Sequence, residues 1–292
     1  MATPMQQGMN FDPRARTVSS GKRAPPRVHR VAIPGLGLVG NAIARHLDQG
    51  IPGMKLTAIG VRDIAKAARQ LADLETMPAL VPIDELEPLA DIVVECAPAD
   101  LLCRVIGPFL RSGKKAIVLS CGALLFHPEL IDAAIEGGGQ IIVPSGALLA
   151  LDAVSAAAEG TIHSVKMVTR KPVRGLVGAP YLVDNNVDIA DIREPLRIFD
   201  GTPREAAVGF PANLNVAVAL GMVGIGADRT QLEIWADPGL QRITHRIDVD
   251  SDSAKFSMSI ENIPSANPKT GLITALSVVA MLRRFESPLR VG

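Results

Sequence analysis

A glycine-rich segment near the start of the chain constrains the fold more than any other feature. Residues 30–33 form a short, strand-like apolar run, and residues 41–47 have helical periodicity. Gly35, Gly37 and Gly40 lie between them with the spacing G-x-G-x-x-G. Glycines in this order permit a tight turn, a bare backbone beside a pyrophosphate and close helix–strand packing. The segment therefore predicts a turn that binds phosphate at a helix N-terminus.

The rest of the first half alternates between strand-like and helical stretches. The predicted elements are strands at 55–61, 91–97, 115–120 and 140–144 and a helix at 64–74. Alternation of this kind is typical of a parallel, doubly wound sheet. We therefore predict a dinucleotide-binding Rossmann domain over residues 28–146. Its expected cofactor contacts are Gly35, Gly37, Leu38, Val39, Gly40 and Ala97.

The second predicted strand ends without the carboxylate that usually binds the ribose of NAD. The chain there reads Gly60-Val61-Arg62-Asp63. Arg62 is suited to the 2′-phosphate of NADP because a guanidinium pairs well with phosphate, whereas Asp63 could still serve NAD. The sequence thus predicts NADP or NAD as the cofactor and favours NADP. An ordinary solvated arginine is the alternative interpretation of Arg62.

The pattern changes in the second half of the chain. Strands are predicted at 161–169, 196–199, 230–236, 243–249 and 256–261. We predict an α+β domain with an open mixed sheet over residues 147–269. The apolar helix at 270–286 is expected to pack back on the first domain. The uncharged run 210–227 contains Pro211 and Asn215, so it predicts a buried helix rather than a membrane span.

Charge and composition exclude several classes of function. Lysine and arginine together number 30, as do aspartate and glutamate, and aromatic residues make up 3% of the chain. A neutral chain that is poor in aromatic residues gives no case for binding nucleic acid or an anionic membrane. Three scattered cysteines indicate a reducing, cytoplasmic compartment and predict no metal site. Residues 1–27 lack the apolar core of a secretory signal, and we expect a disordered tail there.

Several further segments carry a resemblance to a known family. They are 144–147 with 151–152, 169–172, 210–216, 236–238 leading to His245, and 261–265 with 267–270. In this order, and together with the glycine segment, they resemble the L-aspartate dehydrogenase family over nearly all of the chain after residue 28. The resemblance implies NAD(P)-dependent interconversion of L-aspartate with oxaloacetate and ammonia through iminosuccinate. It also implies a homodimer, a catalytic role for His245, and contacts of Ala147 and Asn215 near the nicotinamide.

Such a reaction needs a proton shuttle, because an imine must be hydrolysed or formed. Histidine suits this role since its pKa lies near neutrality, and we predict that His245 supplies it; a buried core histidine is the alternative interpretation. A dicarboxylate substrate also calls for cations. The candidates are Lys171, Arg170 and Lys269 with its neighbour Thr270, and each of these positions could equally be a surface group.

Three interpretations of the function stay open on the sequence alone. Residues 149–150 and 241–244 depart from the family pattern, so a related amino or imino acid is an alternative substrate. Cys121 follows a predicted strand, where a thioester-forming semialdehyde dehydrogenase has its nucleophile, although a small buried hydrophobic residue is the other interpretation. A non-catalytic NAD(P)-binding protein would also keep the glycine turn. Asn215 could likewise cap a helix instead of binding the cofactor.

Overall fold

The first half of the chain folds into a six-stranded parallel sheet. The computed structural model describes residues 27–211, 214–265 and 271–291. The sheet has the spatial order β3-β2-β1-β4-β5-β6. Its strands are β1 (His29–Pro34), β2 (Met54–Gly60), β3 (Ala79–Val81), β4 (Ile92–Glu95), β5 (Lys115–Val118) and β6 (Gln140–Ile142). Every neighbouring pair is parallel. This order is that of doubly wound dinucleotide-binding sheets, so the predicted Rossmann fold is confirmed.

Helices cover both faces of this sheet. They are α1 (Leu38–Asp48), α2 (Ile64–Gln70), α3 (Leu102–Arg111), α4 (Cys121–Leu124) and α5 (Glu129–Gly137). Because side chains alternate along a strand, Val31 and Ile33 of β1 enter the apolar core that includes α1, while Ala32 enters the core that includes α3. The burial of β1 on both faces explains its almost uninterrupted apolar sequence.

The second half of the chain forms a five-stranded mixed sheet, which confirms the mixed sheet that the sequence predicted there. Its spatial order is β11-β10-β7-β9-β8. The strands are β7 (Ile162–Lys171), β8 (Leu196–Gly201), β9 (Gln231–Ala236), β10 (Ile243–Ser251) and β11 (Lys255–Asn262). Only β7 and β9 pair in parallel; the other neighbours are antiparallel. The accompanying helices are α6 (Leu151–Ala158), α7 (Pro180–Asp184), α8 (Pro203–Gly209) and α9 (Asn215–Val223), and members of all four share one apolar core with this sheet.

The last helix returns to the first sheet. Helix α10 (Ile273–Phe285) contributes Ala275, Val278 and Leu282 to the same apolar core as β1 and α1. The apolar core beside β1 and α1 is therefore completed by residues that lie more than 200 positions after α1 in the chain.

Two elements differ from the sequence expectation. Helix α2 ends at Gln70, short of residue 74, because Arg45 binds the carbonyl of Gln70 and the carboxylate of Asp73 and so fixes the turn that follows. Strand β3 was not predicted at all.

The uncharged run 210–227 yields the short, mostly buried helix α9. Within the described residues, no helix combines the length and apolarity needed to cross a bilayer.

Candidate cofactor and active site

The glycine turn between β1 and α1 cannot accept larger residues at two of its positions. Gly35 has a φ of 94°, and a Cβ atom there would lie 2.5 Å from the carbonyl oxygen of Cys96. A Cβ atom on Gly40 would lie 2.1 Å from the carbonyl oxygen of Gly35. By contrast, a Cβ atom on Gly37 would meet nothing within 4 Å. The turn is thus tightly packed on its inner side and open on its outer side.

This open side is the N-terminus of α1. The capping residue, Gly37, has no side chain to satisfy the first backbone N–H groups, and the first turn carries no charge. Leu38 is half exposed, and Val39 lines an adjacent cavity. Free N–H groups and the positive end of a helix dipole form a site for phosphate. The bare turn therefore fits the pyrophosphate of a dinucleotide.

The end of β2 carries the two residues that were considered for the ribose end of the cofactor. The carboxylate of Asp63 accepts a hydrogen bond from the backbone N–H of Lys66 at 2.8 Å and so caps α2. Arg62 is exposed beside it, two residues after the end of β2. An exposed guanidinium therefore lies next to a carboxylate that serves as a helix cap.

A cavity of about 420 Å³ lies between the two sheets and brings six of the predicted site residues together. Its lining includes Val39, Ala97, Ala147, Lys171, Asn215 and His245. Val39 lies in α1 and Ala97 follows β4, both in the nucleotide-binding half, whereas Lys171 and His245 lie on β7 and β10 of the second sheet. Lys269 and Thr270, the other predicted substrate contacts, lie outside the described residues.

His245 sits on β10 and faces the cavity, with 2% of its surface exposed. Its Nδ1 atom lies 3.1 Å from the hydroxyl of Thr169, its register partner on β7. Burial, reinforced by the positive charge of Lys171, lowers the pKa of His245 to about 3. The imidazole is therefore neutral at physiological pH and able to accept a proton. A dianionic substrate in the cavity would raise its proton affinity.

Lys171 and Arg170 are neighbours in sequence but lie on opposite faces of β7. Lys171 is buried and lines the cavity. Arg170 is partly exposed, lies 3.6 Å from Asp237 and stacks over the ring of Trp235. The alternation of a strand thus places one of the two cations beside His245 and excludes the other. Lys171 is the candidate for binding a substrate carboxylate, and Arg170 is not.

Asn215 begins helix α9, but its side chain does not cap that helix. Its Oδ1 atom instead accepts a hydrogen bond from the backbone N–H of Gly122 at 3.0 Å. Ala147, which also lines the cavity, is held by another side-chain amide: Asn262 donates a hydrogen bond to the carbonyl of Ala147 at 2.8 Å. Asn262 was not predicted as a site residue. Its contact joins residues 115 positions apart, which no local pattern reveals.

Cys121 is buried in the cavity wall, where its Sγ atom lies 2.8 Å from the carbonyl oxygen of Asn215. Burial raises the pKa of this thiol to about 12. Only the thiolate is a competent nucleophile, so the environment opposes a thioester mechanism. The interpretation of Cys121 as a small buried residue fits the structure.

Glu95 is a further cavity residue that the sequence analysis missed. It ends β4 and is 1% exposed. Its carboxylate accepts hydrogen bonds from the backbone N–H groups of Leu119 and Ser120, at 3.1 and 2.8 Å. Burial raises its pKa to about 7. A charged residue in the otherwise apolar run 92–97 was the signal that could have identified it.

Two family models match the two halves of the chain. Residues 35–144 match the NAD-binding domain of homoserine dehydrogenase, and residues 152–285 match the C-terminal domain of aspartate dehydrogenase. A crystal structure of aspartate dehydrogenase from Thermotoga maritima has a TM-score of 0.69 to this model at 23% sequence identity. The alignment covers 90% of this chain and 99% of that one, and it supports the two-sheet fold.

Closer relatives share most of the sequence. The L-aspartate dehydrogenase of Bradyrhizobium diazoefficiens is 60% identical over 263 residues, which cover 90% of this chain and 94% of that protein. L-aspartate dehydrogenase 3 of Bordetella bronchiseptica is 57% identical over 263 residues, which cover 90% of this chain and 97% of that protein. Identity at this level over nearly the full length shows common descent of both domains. The chain therefore belongs to the L-aspartate dehydrogenase family.

Proposed function

We propose that this protein is an NAD(P)-dependent L-aspartate dehydrogenase, which interconverts L-aspartate and water with oxaloacetate and ammonia through iminosuccinate. The observation that carries the proposal is the position of His245 and Lys171, which share one cavity with the end of the glycine turn. This cavity offers a neutral proton acceptor, a cation and a nucleotide-binding edge. These are the groups that oxidation of a dicarboxylic amino acid requires.

The bound cofactor would supply hydride transfer at its nicotinamide ring. Asn215 and Ala147 would hold the carboxamide end, since both line the cavity and are fixed by hydrogen bonds to other segments. Lys171 would bind a substrate carboxylate. His245 would take a proton from the water that attacks the imine carbon and return it to the departing nitrogen. Thr169 fixes the orientation of the imidazole through Nδ1, which directs Nε2 to this task.

Aspartate remains the favoured substrate despite the departures at residues 149–150 and 241–244. Within the described residues, Ile243 is the one member of these segments that lines the cavity. Leu149 and Ala150 line a separate groove beside α6. Most of these changed residues therefore lie outside the cavity that holds Lys171 and His245 and leave its lining unaltered.

The activity is tested by NAD(P)H oxidation in the presence of oxaloacetate and ammonia. We expect turnover with oxaloacetate, and much weaker turnover with 2-oxo acids that lack the second carboxylate, because these leave Lys171 without its partner. Equal rates with pyruvate and oxaloacetate would contradict a dicarboxylate substrate. Cofactor binding without turnover on any oxo acid would favour the non-catalytic alternative.

Arg62→Ala tests the cofactor preference. We expect the KM for NADPH to rise about tenfold or more while the KM for NADH changes less than about twofold, since only NADPH carries the 2′-phosphate. Steady-state kinetics with both cofactors measure this difference. The matched control is Arg69→Ala, which removes a cation from the last turn of α2, further from the end of β2. Equal losses with both cofactors would refute the role of Arg62.

Cys121→Ser tests the thioester alternative. Serine preserves the size of the side chain and its hydrogen bond to the carbonyl of Asn215. We expect kcat within about threefold of wild type, because a thiol whose pKa is raised to about 12 contributes no nucleophile at neutral pH. Loss of activity with retained cofactor binding would instead make Cys121 part of the chemistry.

We also infer that the enzyme works in the cytoplasm as a homodimer. The three free cysteines support a reducing compartment, and the family resemblance supports the dimer. Light scattering of the purified protein coupled to size-exclusion chromatography tests the assembly, since a mass near that of one 30.8 kDa chain would refute it.

A further inference from the structure

Glu95 is a buried acid that has no role in the reaction proposed above. Its carboxylate is held by the N–H groups of Leu119 and Ser120, and its second oxygen accepts from the hydroxyl of Ser120 at 3.2 Å. It nevertheless lines the same cavity as His245 and Asn215. A carboxylate that is 1% exposed and fixed by three hydrogen bonds is a rigid charge, positioned by the fold rather than by solvent.

The charge of Glu95 changes close to neutral pH. Burial raises its pKa, whereas the hydrogen bonds from Ser120, Leu119 and Ala97 lower it, and the balance is a pKa of about 7. An acid that is both buried and well hydrogen-bonded can thus exist in either form under physiological conditions.

Three other ionisable groups of the cavity keep their charge state in this range. Burial raises the pKa of the Cys96 and Cys121 thiols, so both stay protonated. His245 stays neutral because burial and the positive charge of Lys171 lower its pKa to about 3. Compared with these three groups, Glu95 is the one whose pKa lies near neutrality.

We propose that Glu95 is a proton-coupled charge partner of the nicotinamide, so that its ionised form favours the oxidised cofactor and its protonated form favours the reduced one. The inference rests on the proposed function in one respect, namely that the nicotinamide end of the cofactor enters this cavity. The oxidised ring carries a positive charge, and the reduced ring is neutral. Opposite charges within one desolvated cavity attract strongly, and a neutral carboxyl group loses that attraction.

The same coupling links Glu95 to the reaction. When bound, the cofactor would accept a hydride during oxidation of the amino acid, and the single negative charge of that hydride would cancel the positive charge of the ring. Glu95 then loses the cation that stabilised its carboxylate and binds a proton released to solvent by the oxidation. In the reductive direction Glu95 gives up that proton as the ring becomes cationic. The residue thus stores one proton in step with the redox state, without touching the substrate.

The test is the ratio of two dissociation constants, measured without any substrate. The Kd values for NADP⁺ and NADPH are determined by calorimetry and by fluorescence between about pH 6 and about pH 8.5. We expect the ratio Kd(NADP⁺)/Kd(NADPH) of the wild type to fall about tenfold as the pH rises across this range. This change corresponds to a difference of about one unit between the pKa of Glu95 in the NADPH complex and its pKa in the NADP⁺ complex. Titration of the 2′-phosphate occurs in both cofactors and cancels in the ratio.

Glu95→Gln is the decisive variant, because glutamine stays neutral and can still accept from the backbone of Leu119 and Ser120. Its ratio is expected to be independent of pH and close to the low-pH value of the wild type. Ser120→Ala is the matched control: it keeps the carboxylate but removes one stabilising hydrogen bond. The pH dependence should therefore persist with its midpoint shifted upward, a shift that a merely structural role would not produce.

Each outcome decides the question. A flat ratio in the wild type, or an unchanged pH dependence in Glu95→Gln, overturns the inference while leaving the proposed function intact. If the wild type does not bind NADP(H), the same ratio is measured with NAD⁺ and NADH, and failure to bind NAD(H) as well overturns both the inference and the proposed function. If Glu95→Gln does not fold, the midpoint shift between wild type and Ser120→Ala still tests the assignment, since an identical midpoint in the two proteins would refute it.

Discussion

His245→Ala is expected to lower kcat by about 10²–10⁴-fold, the usual effect of removing a general acid–base. His245 is the cavity base to which we assign the proton transfer with water, and burial keeps its imidazole uncharged at neutral pH. Cofactor affinity should stay within about threefold of wild type, since the phosphate site lies on the other sheet. Stopped-flow turnover with oxaloacetate and ammonia, and fluorescence titration with NADPH, measure the two quantities separately.

Two further variants make this result interpretable. His245→Asn keeps a polar partner for the hydroxyl of Thr169 and guards against loss of folding. His163→Ala removes an exposed histidine from β7 and should leave kcat unchanged. Near-normal turnover in both His245 variants would remove the residue from the mechanism. The pH profile gives an independent check: no activity loss from His245 protonation is expected as the pH falls through about 6.5.

The same lowered pKa affects stability. His245 has a pKa of about 3 in the folded protein, below its value of about 6.5 in an unfolded chain. The unfolded state therefore binds more protons between these values, and the free energy of unfolding falls as the pH drops from about 6.5 towards 3. The stabilising contribution is fully present above about 6.5. Replacement by asparagine should flatten this part of the stability profile.

Gly40→Ala is expected to weaken NAD(P)H binding at least about tenfold and to destabilise the fold by about 1–3 kcal/mol. The added methyl group would lie 2.1 Å from the carbonyl oxygen of Gly35, so helix α1 must move away from the turn. That movement displaces the N–H groups that bind the pyrophosphate. Fluorescence titration gives the affinity, and thermal unfolding gives the stability.

Gly107→Ala is the matched control for this substitution. Gly107 lies inside α3, and the atoms nearest to an added Cβ belong to the flexible guanidinium of Arg111, at 3.2 Å. Replacing glycine by alanine inside a helix usually stabilises it by about 0.5–1 kcal/mol. A Gly40→Ala protein whose Kd for NADPH stays within about twofold of wild type would refute the assignment of the phosphate site.

The architecture was largely predictable because its signals are local. A strand, a glycine turn and a helix occupy consecutive residues, so the pattern around Gly35 and Gly40 is complete in the sequence. Strand β3 escaped prediction because it has only three residues, and Pro78 and Pro82 flank it. Such a strand exists through its pairing with β2, and pairing between distant segments leaves no periodic trace.

The candidate site was predictable only in part. The family resemblance pointed to His245, whereas Lys171 was one of several candidate cations. Strand alternation could have separated Lys171 from Arg170, since Val165, Met167, Thr169 and Lys171 share the buried face of β7. Glu95 was not predicted because its carboxylate is held by the backbone N–H groups of Leu119 and Ser120, which are distant in sequence. The support of Ala147 by Asn262 depends on tertiary structure alone.

The return of α10 to the first sheet has a consequence for biosynthesis. A nascent chain emerges N-terminus first, and early domains commonly fold while later ones are still being translated. Here Val278 and Leu282 belong to the apolar core under β1 and α1, so the nucleotide-binding half lacks part of its interior until residues 273–285 have been translated. Until then an apolar face remains uncovered on the ribosome. Such a chain would depend on chaperones that shield this face, and premature termination before residue 273 would yield an aggregation-prone fragment instead of a working half-enzyme.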